Sequence, residues 1–357
     1  MERKMKFFFF LLTAAAALFL AGCASQHVYI GGNDGIHLAR YTNQGLPIPR
    51  SWMMGKVDTG SNVSYMAVKE HTLYAARRIA KGAHCVDVFR IRRNGLLKKA
   101  DAFLIPGNHG YCHISVSQDG KYLFGSSYSG GFMDLLSLVP DGGIIKLEKR
   151  FTFTGRSIHK RQKHAHPHFA AQTPDGSSVL VADLGCDKIH VFDYDAKKGL
   201  TQRQSVALPP GSGPRHLSFS ADGKFVVSAN ELNNTVASFK FEKGSPLLVS
   251  VCSLLPSAWS GTSYAGAIKT APCGVFFVSN RGHNSIAVVS MASDGRLKLA
   301  NTFASSGDFP YDLSFGKGNM FLVNMKSDCF SVWEKDDGWK KTAAFTLRRP
   351  MCVIAMP

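Results

Sequence analysis

Hydrophobic and polar residues alternate with a period of two along most of the chain, in short runs separated by turns rich in glycine and aspartate. Residues 211–239 show the pattern most clearly, because two such runs are joined by Ala-Asp-Gly at residues 221–223, a hairpin-type turn. Nowhere does an apolar period of 3.6 residues run long enough to predict a core helix. The pattern therefore predicts an all-β chain.

The same unit recurs along the sequence. Four later units begin at intervals of 47, 51 and 45 residues, counted at Pro167, Pro214, Ala265 and Pro310. Periods of this length, with several short strands each, are typical of β-propeller blades. Counting units at about 47 residues each predicts a seven-bladed β-propeller over residues 27–357. We expect the strand at residues 351–355 to pair with the opening segment, residues 27–41, and so to close the ring.

The N-terminus has a different character. Residues 1–6 are mostly basic, residues 7–20 are apolar, and Leu-Ala-Gly-Cys follows at residues 20–23. This ending resembles the lipobox of bacterial lipoproteins and predicts a signal peptide over residues 1–22, a lipidated Cys23 and a short tether over residues 23–26. The alternative is an ordinary cleavage site with a chance cysteine. We expect an exported lipoprotein that contacts a membrane only through its lipid, on the periplasmic or cell-surface side.

A net charge of +17 could indicate a nucleic-acid partner. The basic residues are scattered through turns, however, so we predict no nucleic-acid partner. We also expect the protein to be a monomer. The one basic clump, residues 156–164, is interpreted as a solvated loop, with attraction of anionic substrates or lipid head groups as the alternative. The seven cysteines after Cys23 lack metal-type spacing and suit small buried strand positions, although a disulfide stays open.

Comparison of equivalent positions across the units identifies candidate chemistry. The residue after each unit's reference position, which is proline in three units and Ala265 in the fourth, is His168, Arg215, Gly266 or Tyr311, and we call it the inner position. The residue after the second strand, the turn position, is Leu184, Glu231 or Arg281. Both positions approach one mouth of a propeller's channel, so we expect the charged residues and His168 to converge there. The alternative is a set of ion pairs that hold neighbouring blades together.

These residue types fit acyl chemistry on an anionic substrate. Two guanidinium groups bind a carboxylate or a phosphate in fork geometry, and they also stabilise an oxyanion. His168 or Glu231 can move a proton beside them. Alternating imidazoles at residues 164–168 could ligate a metal, but Pro167 interrupts the run, which favours a site without metal.

Several motifs together resemble the seven-bladed propeller lactonase family, which includes the propeller-type 6-phosphogluconolactonase and the fungal carboxy-cis,cis-muconate lactonising enzyme. They are His-Pro-His at 166–168, Ala-Asp-Leu-Gly at 182–185, Gly-Pro-Arg-His at 213–216, Ala-Asn-Glu-Leu at 229–232 and Val-Ser-Asn-Arg-Gly-His-Asn-Ser-Ile at 278–286. The resemblance implies a catalytic site without metal or cofactor, formed by His168, Arg215, Glu231 and Arg281. We expect further substrate contacts from His166, His216, Asn230, Asn280 and Tyr311. Tyr311 stands where many relatives have arginine.

The resemblance implies a lactonase that hydrolyses a sugar-acid-type lactone, similar to 6-phosphogluconolactonase, with a small lactone or anionic sugar acid as its partner. Two alternatives stay open. A non-catalytic propeller could bind a partner protein or a glycan at the cell surface, with the charges serving stability. A muconate-type cycloisomerase would use the same residues in the reverse direction.

Overall fold

The computed structural model describes residues 26–41, 53–57, 62–79, 82–242 and 245–356. Within these ranges the regular structure is 28 β-strands in seven four-stranded antiparallel sheets, which confirms the predicted all-β, seven-bladed propeller. The predicted signal peptide, Cys23 and most of the tether lie outside the described residues. The first strand begins at Gln26, one residue before the predicted start of the propeller.

The strand bounds follow the predicted repeat. Blade 1 contains β1 (Gln26–Gly32), β2 (Gly35–Tyr41), β3 (Met53–Val57) and β28 (Cys352–Ala355). Blade 2 contains β4 (Val63–Lys69), β5 (Thr72–Arg78), β6 (His84–Ile91) and β7 (Leu97–Leu104). Blade 3 contains β8 (His113–Val116), β9 (Tyr122–Ser127), β10 (Phe132–Leu138) and β11 (Ile144–Thr152). Blade 4 contains β12 (Pro167–Gln172), β13 (Ser178–Asp183), β14 (Lys188–Asp195) and β15 (Gly199–Ala207).

The last three blades repeat this arrangement. Blade 5 contains β16 (Pro214–Phe219), β17 (Phe225–Asn230), β18 (Thr235–Glu242) and β19 (Ser245–Ser253). Blade 6 contains β20 (Tyr264–Thr270), β21 (Phe276–Arg281), β22 (Ser285–Met291) and β23 (Leu297–Ala304). Blade 7 contains β24 (Pro310–Phe315), β25 (Asn319–Asn324), β26 (Cys329–Lys335) and β27 (Trp339–Thr346).

The ring closes through the two ends of the chain. β28 pairs antiparallel with β1, with Val28 opposite Ala355 and Gly31 opposite Cys352. The C-terminal strand is therefore the innermost strand of blade 1, and it contacts the inner strands of blades 2 and 7. The predicted closure is confirmed, because strands from the two ends of the chain share one sheet.

The core lies between the blades rather than within any one of them. All six residues of β13 and of β17 are buried, because neighbouring blades cover both faces of each middle strand. One apolar cluster joins Leu180 and Val191 of blade 4 to Val226 and Phe239 of blade 5. The outer strands alternate between half-buried and exposed residues instead, as in β15. Each blade is thus stabilised by its neighbours, and the inner strands are held in fixed positions around the channel.

A β-bulge at the start of the inner strand explains the special character of the inner position. In blades 2, 4, 5 and 7 the pairing skips one residue directly after the strand's first residue. The skipped residues are Ser64, His168, Arg215 and Tyr311. A bulged residue leaves the pleat and turns its side chain in a new direction. The fold therefore frees the inner position from blade packing.

Two further findings concern export and cysteine chemistry. In the parts of the chain that the structure describes, no helix is long and apolar enough to cross a membrane. The seven described cysteines are all free thiols, so the disulfide that the sequence left open does not form among them. Three of the seven, Cys85, Cys186 and Cys352, are buried.

Candidate functional site

The structure brings the predicted charged residues together at one mouth of the channel. Arg281 Nη2 donates to Glu231 Oε2 at 2.5 Å, and Arg215 Nε lies 3.1 Å from the same oxygen. Arg215 is 1% exposed, Glu231 4% and Arg281 5%. Glu231 belongs to blade 5 and Arg281 to blade 6, so the contacts also connect two blades. The predicted convergence and the alternative of inter-blade ion pairs describe the same cluster.

A third arginine, Arg161, completes this cluster and was not a sequence candidate. Its Nη1 donates to Glu231 Oε1 at 2.6 Å, and its Nη2 donates to the Tyr128 hydroxyl at 3.1 Å. Its guanidinium also lies 5.6 Å from the ring centroid of Tyr264. The side chain keeps 33% of its surface exposed, unlike the two arginines below it. Arg161 therefore covers the carboxylate from the solvent side.

The loop that carries Arg161 is anchored, so its interpretation as a solvated loop is only partly right. Gln162 is fully buried and donates to the Leu184 carbonyl at 2.8 Å and to Asp187 Oδ1 at 2.7 Å. Lys160 and Lys163 on either side are exposed, as predicted for the clump. Basic residues alone cannot show which one turns inward, because this depends on where Gln162 finds its partners.

His168 lies beside the arginine cluster as a buried, neutral imidazole. It is 8% exposed, and burial followed by the charge of Arg215 lowers its pKa well below the usual value. Its ring centroid is 5.3 Å from that of His216 and 5.7 Å from that of Tyr128. Within the described residues, His168 Nδ1 has no hydrogen-bond partner, whereas Arg215 Nε faces Glu231 in the ion pair described above. His168 Nδ1 thus remains able to bind a ligand.

The electrostatics of the cluster favour anions. Burial alone would raise the pKa of Glu231, but the guanidiniums of Arg281, Arg215 and Arg161 outweigh it and hold that pKa well below its usual range. Glu231 is therefore ionised, and three positive groups against one negative group leave a net charge of +2 around it. A mouth with this charge attracts carboxylates and phosphates.

Three of the predicted substrate contacts lie at or below this mouth. Tyr311 places its ring 5.3 Å from the Arg215 guanidinium and 5.5 Å from that of Arg281. His166 stacks on Tyr128 at 4.1 Å, and its Nδ1 bonds to the Tyr128 carbonyl. His216 contacts Arg215 through Nε2 at 3.2 Å. Tyr311 thus places an aromatic ring against both guanidiniums at the inner position of blade 7.

The two asparagines among the predicted substrate contacts bond to side chains near them in the chain. Asn230 is fully buried, accepts from Ser228 and donates to Thr235 within its own blade. Asn280 is fully buried as well and donates to Ser285 at 3.1 Å. These amides hold the end of the second strand to the next turn, one residue before the turn position. Asn280 Oδ1 has no hydrogen-bond partner among the described residues, and the substrate contacts of both asparagines stay predictions.

Gly266, at the inner position of blade 6, leaves room for Arg281. A Cβ at Gly266 would lie 2.4 Å from Ser279 Oγ and 3.1 Å from Arg281 Nε. The first distance is shorter than real Cβ contacts, so any side chain here would require a shift. The absence of a side chain at this position lets the arginine from the turn position lie across the inner strand.

Below the mouth the channel is filled by a polar and aromatic layer. The rings of Tyr65 and Phe169 lie 4.4 and 4.2 Å from His113, and His216 lies 5.5 Å from it. Lys269 Nζ is 3.5 Å from the Tyr65 hydroxyl and 3.9 Å from an Asp312 oxygen. We call His113, His168 and His216 the channel imidazoles. Burial is the main reason why their pKa values lie well below the usual value.

The first blades contribute to the same mouth, which the sequence comparison missed. Tyr128 follows β9 and Arg78 ends β5, so they occupy the turn position in blades 3 and 2. Ser64 and Cys112 occupy the inner position there. The signal was available, because extending the blade comparison toward the N-terminus would have placed these four residues beside Glu231 and His168.

The described residues contain no group of three or more histidine, cysteine, aspartate or glutamate side chains placed to hold a metal ion. The rings of His164 and His166 are 4.1 Å apart, but no carboxylate or thiol completes a metal-type set with them. Metal independence stays a prediction.

Comparison with known proteins gives a consistent result. A family model described as lactonase, 7-bladed beta-propeller, matches residues 19–354. The 6-phosphogluconolactonase of Bacillus subtilis is 29% identical over 326 residues, 89% of this chain and 91% of that protein. An uncharacterised protein of Staphylococcus saprophyticus is 30% identical over 267 residues, 73% of this chain and 76% of that protein. The solved periplasmic gluconolactonase of Pseudomonas aeruginosa has a TM-score of 0.85 at 25% identity, covering 94% of this chain and 99% of that one.

Proposed function

The chain belongs to the seven-bladed β-propeller lactonase family, and we propose that it hydrolyses a sugar-acid-type lactone at the mouth formed by His168, Arg215, Glu231 and Arg281. The observation that carries this proposal is the buried, unpartnered His168 Nδ1 beside a cluster of net positive charge. The relatives named as 6-phosphogluconolactonase and gluconolactonase support lactones of sugar acids as the substrate class.

The proposed reaction begins with attack of water on the lactone carbonyl carbon. His168 accepts the proton from that water, and Arg215 with Arg281 stabilises the oxyanion that forms on the carbonyl oxygen. The bond from the carbonyl carbon to the ring oxygen then breaks. His168 returns its proton to the ring oxygen, and the product is an open hydroxy acid. No metal or cofactor takes part in this sequence.

The contacts favour His168 over Glu231 as the group that moves the proton. Three guanidiniums surround the Glu231 carboxylate, which makes it a very weak base. His168 is neutral near pH 7, because its pKa is lowered by burial and by Arg215. We assign Glu231 the role of holding the arginines in position. Arg161, which is one-third exposed, would turn from Glu231 to the anionic group of an arriving substrate.

A lactone panel tests the proposal. The purified protein is assayed with glucono-1,5-lactone, 6-phosphoglucono-1,5-lactone and a muconolactone, with ring opening followed by proton release. We expect hydrolysis of at least one sugar-acid lactone, and a loss of about 100-fold or more in kcat for His168→Asn, as is typical when a proton-transfer group is removed. Full activity in both His168→Asn and Arg215→Ala would show that the site is misassigned. Turnover of the muconolactone alone would favour the cycloisomerase.

The non-catalytic scaffold is the second candidate. It is favoured by the closed ion pairs, since Glu231 of blade 5 already bonds to Arg281 of blade 6. A scaffold would leave every lactone of the panel intact and would bind none of the corresponding open sugar acids. Binding of gluconate or 6-phosphogluconate that Arg281→Gln weakens would speak for the enzyme.

We further propose that the protein is exported and anchored through Cys23. The relative from Pseudomonas aeruginosa described as periplasmic supports an exported member of this fold. Expression of the full chain should place it in the membrane fraction, and Cys23→Ser should release it from that fraction. Equal fractionation of the two proteins would contradict the anchor.

A further inference from the structure

A second cavity opens at the same mouth, between blades 2 and 3. Its volume is about 380 Å³, within the range of small-molecule pockets. It touches the candidate catalytic site through two lining residues: Cys112 Sγ lies 3.7 Å from the His168 carbonyl oxygen, and the Tyr128 ring meets His168 edge-on. A substrate with its reactive group at His168 can therefore extend past Tyr128 into this cavity.

The far side of the cavity is basic. Arg78, His84 and His109 line it, and Arg78 and His109 both act electrostatically on His84. Within the described residues, no aspartate or glutamate forms an ion pair with any of these three side chains. Arg78 and His109 are exposed and His84 is half-buried, and basic groups that converge without a carboxylate favour the binding of an anion.

The backbone of this region is adapted to the cluster. A Cβ at Gly110 would lie 2.1 Å from His84 Nδ1, so the imidazole rests directly on the glycine backbone. Across the cavity, Asn62 Oδ1 is buried and has no hydrogen-bond partner in the described part of the chain. A carbonyl oxygen of this kind accepts from a hydroxyl. The cavity thus combines an acceptor for a polyol with a site for an anion.

We propose that this cavity is a second, basic subsite in which Arg78, His84 and His109 bind the phosphate or carboxylate that a substrate carries away from its lactone ring. The inference rests on the proposed function for the position of the ring. It specifies where the remote anionic group of a hydroxylated lactone would bind. It also gives a role to the turn position of blade 2, which the catalytic proposal does not use.

Binding tests the subsite without requiring turnover. Calorimetric titration of the mature chain uses 6-phosphogluconate, gluconate and inorganic phosphate as probes. Arg78→Gln should weaken the binding of 6-phosphogluconate by about tenfold or more, as expected for one lost charge-assisted contact. Arg93→Gln is the matched control, because Arg93 is an exposed arginine of the same blade in the turn between β6 and β7. The control should bind each probe as the wild type does.

The three probes separate the two anions. If Arg78→Gln loses affinity only for 6-phosphogluconate and inorganic phosphate, the cavity is a phosphate subsite. If it loses affinity for gluconate to the same extent, the cavity is a carboxylate subsite. Binding by Arg78→Gln that equals the Arg93→Gln control for all three probes overturns the proposal. If the wild type hydrolyses no lactone but its affinity still depends on Arg78, the catalytic proposal fails and the subsite stands.

A pH series gives a second readout. Burial, then Arg78 at the end of β5 and His109 in the loop before β8, lower the pKa of His84. A bound anion favours the protonated imidazole, so binding should take up a proton and strengthen between pH 8 and pH 6. His84→Gln should reduce this pH dependence. An unchanged slope in His84→Gln would contradict a contact between the imidazole and the anion.

Discussion

Replacement of Glu231 by glutamine tests the charge cluster directly. The substitution keeps the shape of the side chain but removes the one negative charge among three guanidiniums, two of which are at most 5% exposed. Removal of one partner from a buried ion pair costs about 3–5 kcal/mol, because the other charge stays buried and unpaired. Arg161 can turn into solvent, so it contributes little to this loss. We therefore expect Glu231→Gln to lower the free energy of unfolding by about 3 kcal/mol or more.

Urea unfolding followed by circular dichroism measures this difference. The control is Glu148→Gln, which removes a surface pair with Lys146 and should change the free energy of unfolding by less than about 1 kcal/mol. Inorganic phosphate should stabilise Glu231→Gln more than it stabilises the wild type, since an anion then replaces the missing carboxylate. A Glu231→Gln variant as stable as the control, in the presence and absence of phosphate, would refute a buried, charge-balanced cluster.

Three further predictions follow from the same geometry. Gly266→Ala should displace the Arg281 guanidinium and lower kcat/KM for the best lactone about tenfold or more, whereas Gly338→Ala, where a Cβ meets nothing within 4 Å, should leave it unchanged. Arg161→Gln should raise KM for an anionic lactone with little loss of stability. Lys163→Gln, which replaces an exposed neighbour, should leave KM unchanged. Equal KM values for the two variants would contradict a contact between Arg161 and the substrate. The channel imidazoles have lowered pKa values in the folded protein, so the unfolded chain binds protons more readily than the folded one. The free energy of unfolding should therefore be highest above pH 6.5 and should decrease as the pH falls below it, by at most about 1.4 kcal/mol per pH unit for each imidazole. A melting temperature that is equal at pH 7.5 and pH 5.5 would contradict their neutral burial.

The repeat was readable from the sequence because propeller packing constrains every blade in the same way. Middle strands such as β17 are buried along their whole length and are therefore mostly apolar, and the hairpin turns must allow a positive φ, as Gly223 does at 71°. Such local requirements recur at a fixed period, so the number of blades and the closure by residues 351–355 followed from counting. The same comparison singled out His168 and Glu231, since a residue that varies where the blades otherwise repeat is not needed for packing.

The sequence was less informative about which polar residues face the mouth. Asn230 and Glu231 are neighbours in the chain, but the asparagine is used within its blade and the glutamate points to the arginines. A difference of one residue at the end of a strand reverses the direction of a side chain, and the β-bulges shift that alternation again. Sequence position alone therefore did not separate structural amides from candidate ligands.

The sequence by itself determined the all-β propeller, its seven blades, its closure and the identity of four charged or titratable residues at the mouth. Only the tertiary structure decided that Arg161 joins them and that Arg78 and His84 form a basic cavity beside them. The reason is physical. Blade repeats arise from contacts that recur at one spacing, whereas these groups meet through a loop and through different blades, where the distance between residues along the chain carries no information about the distance in space.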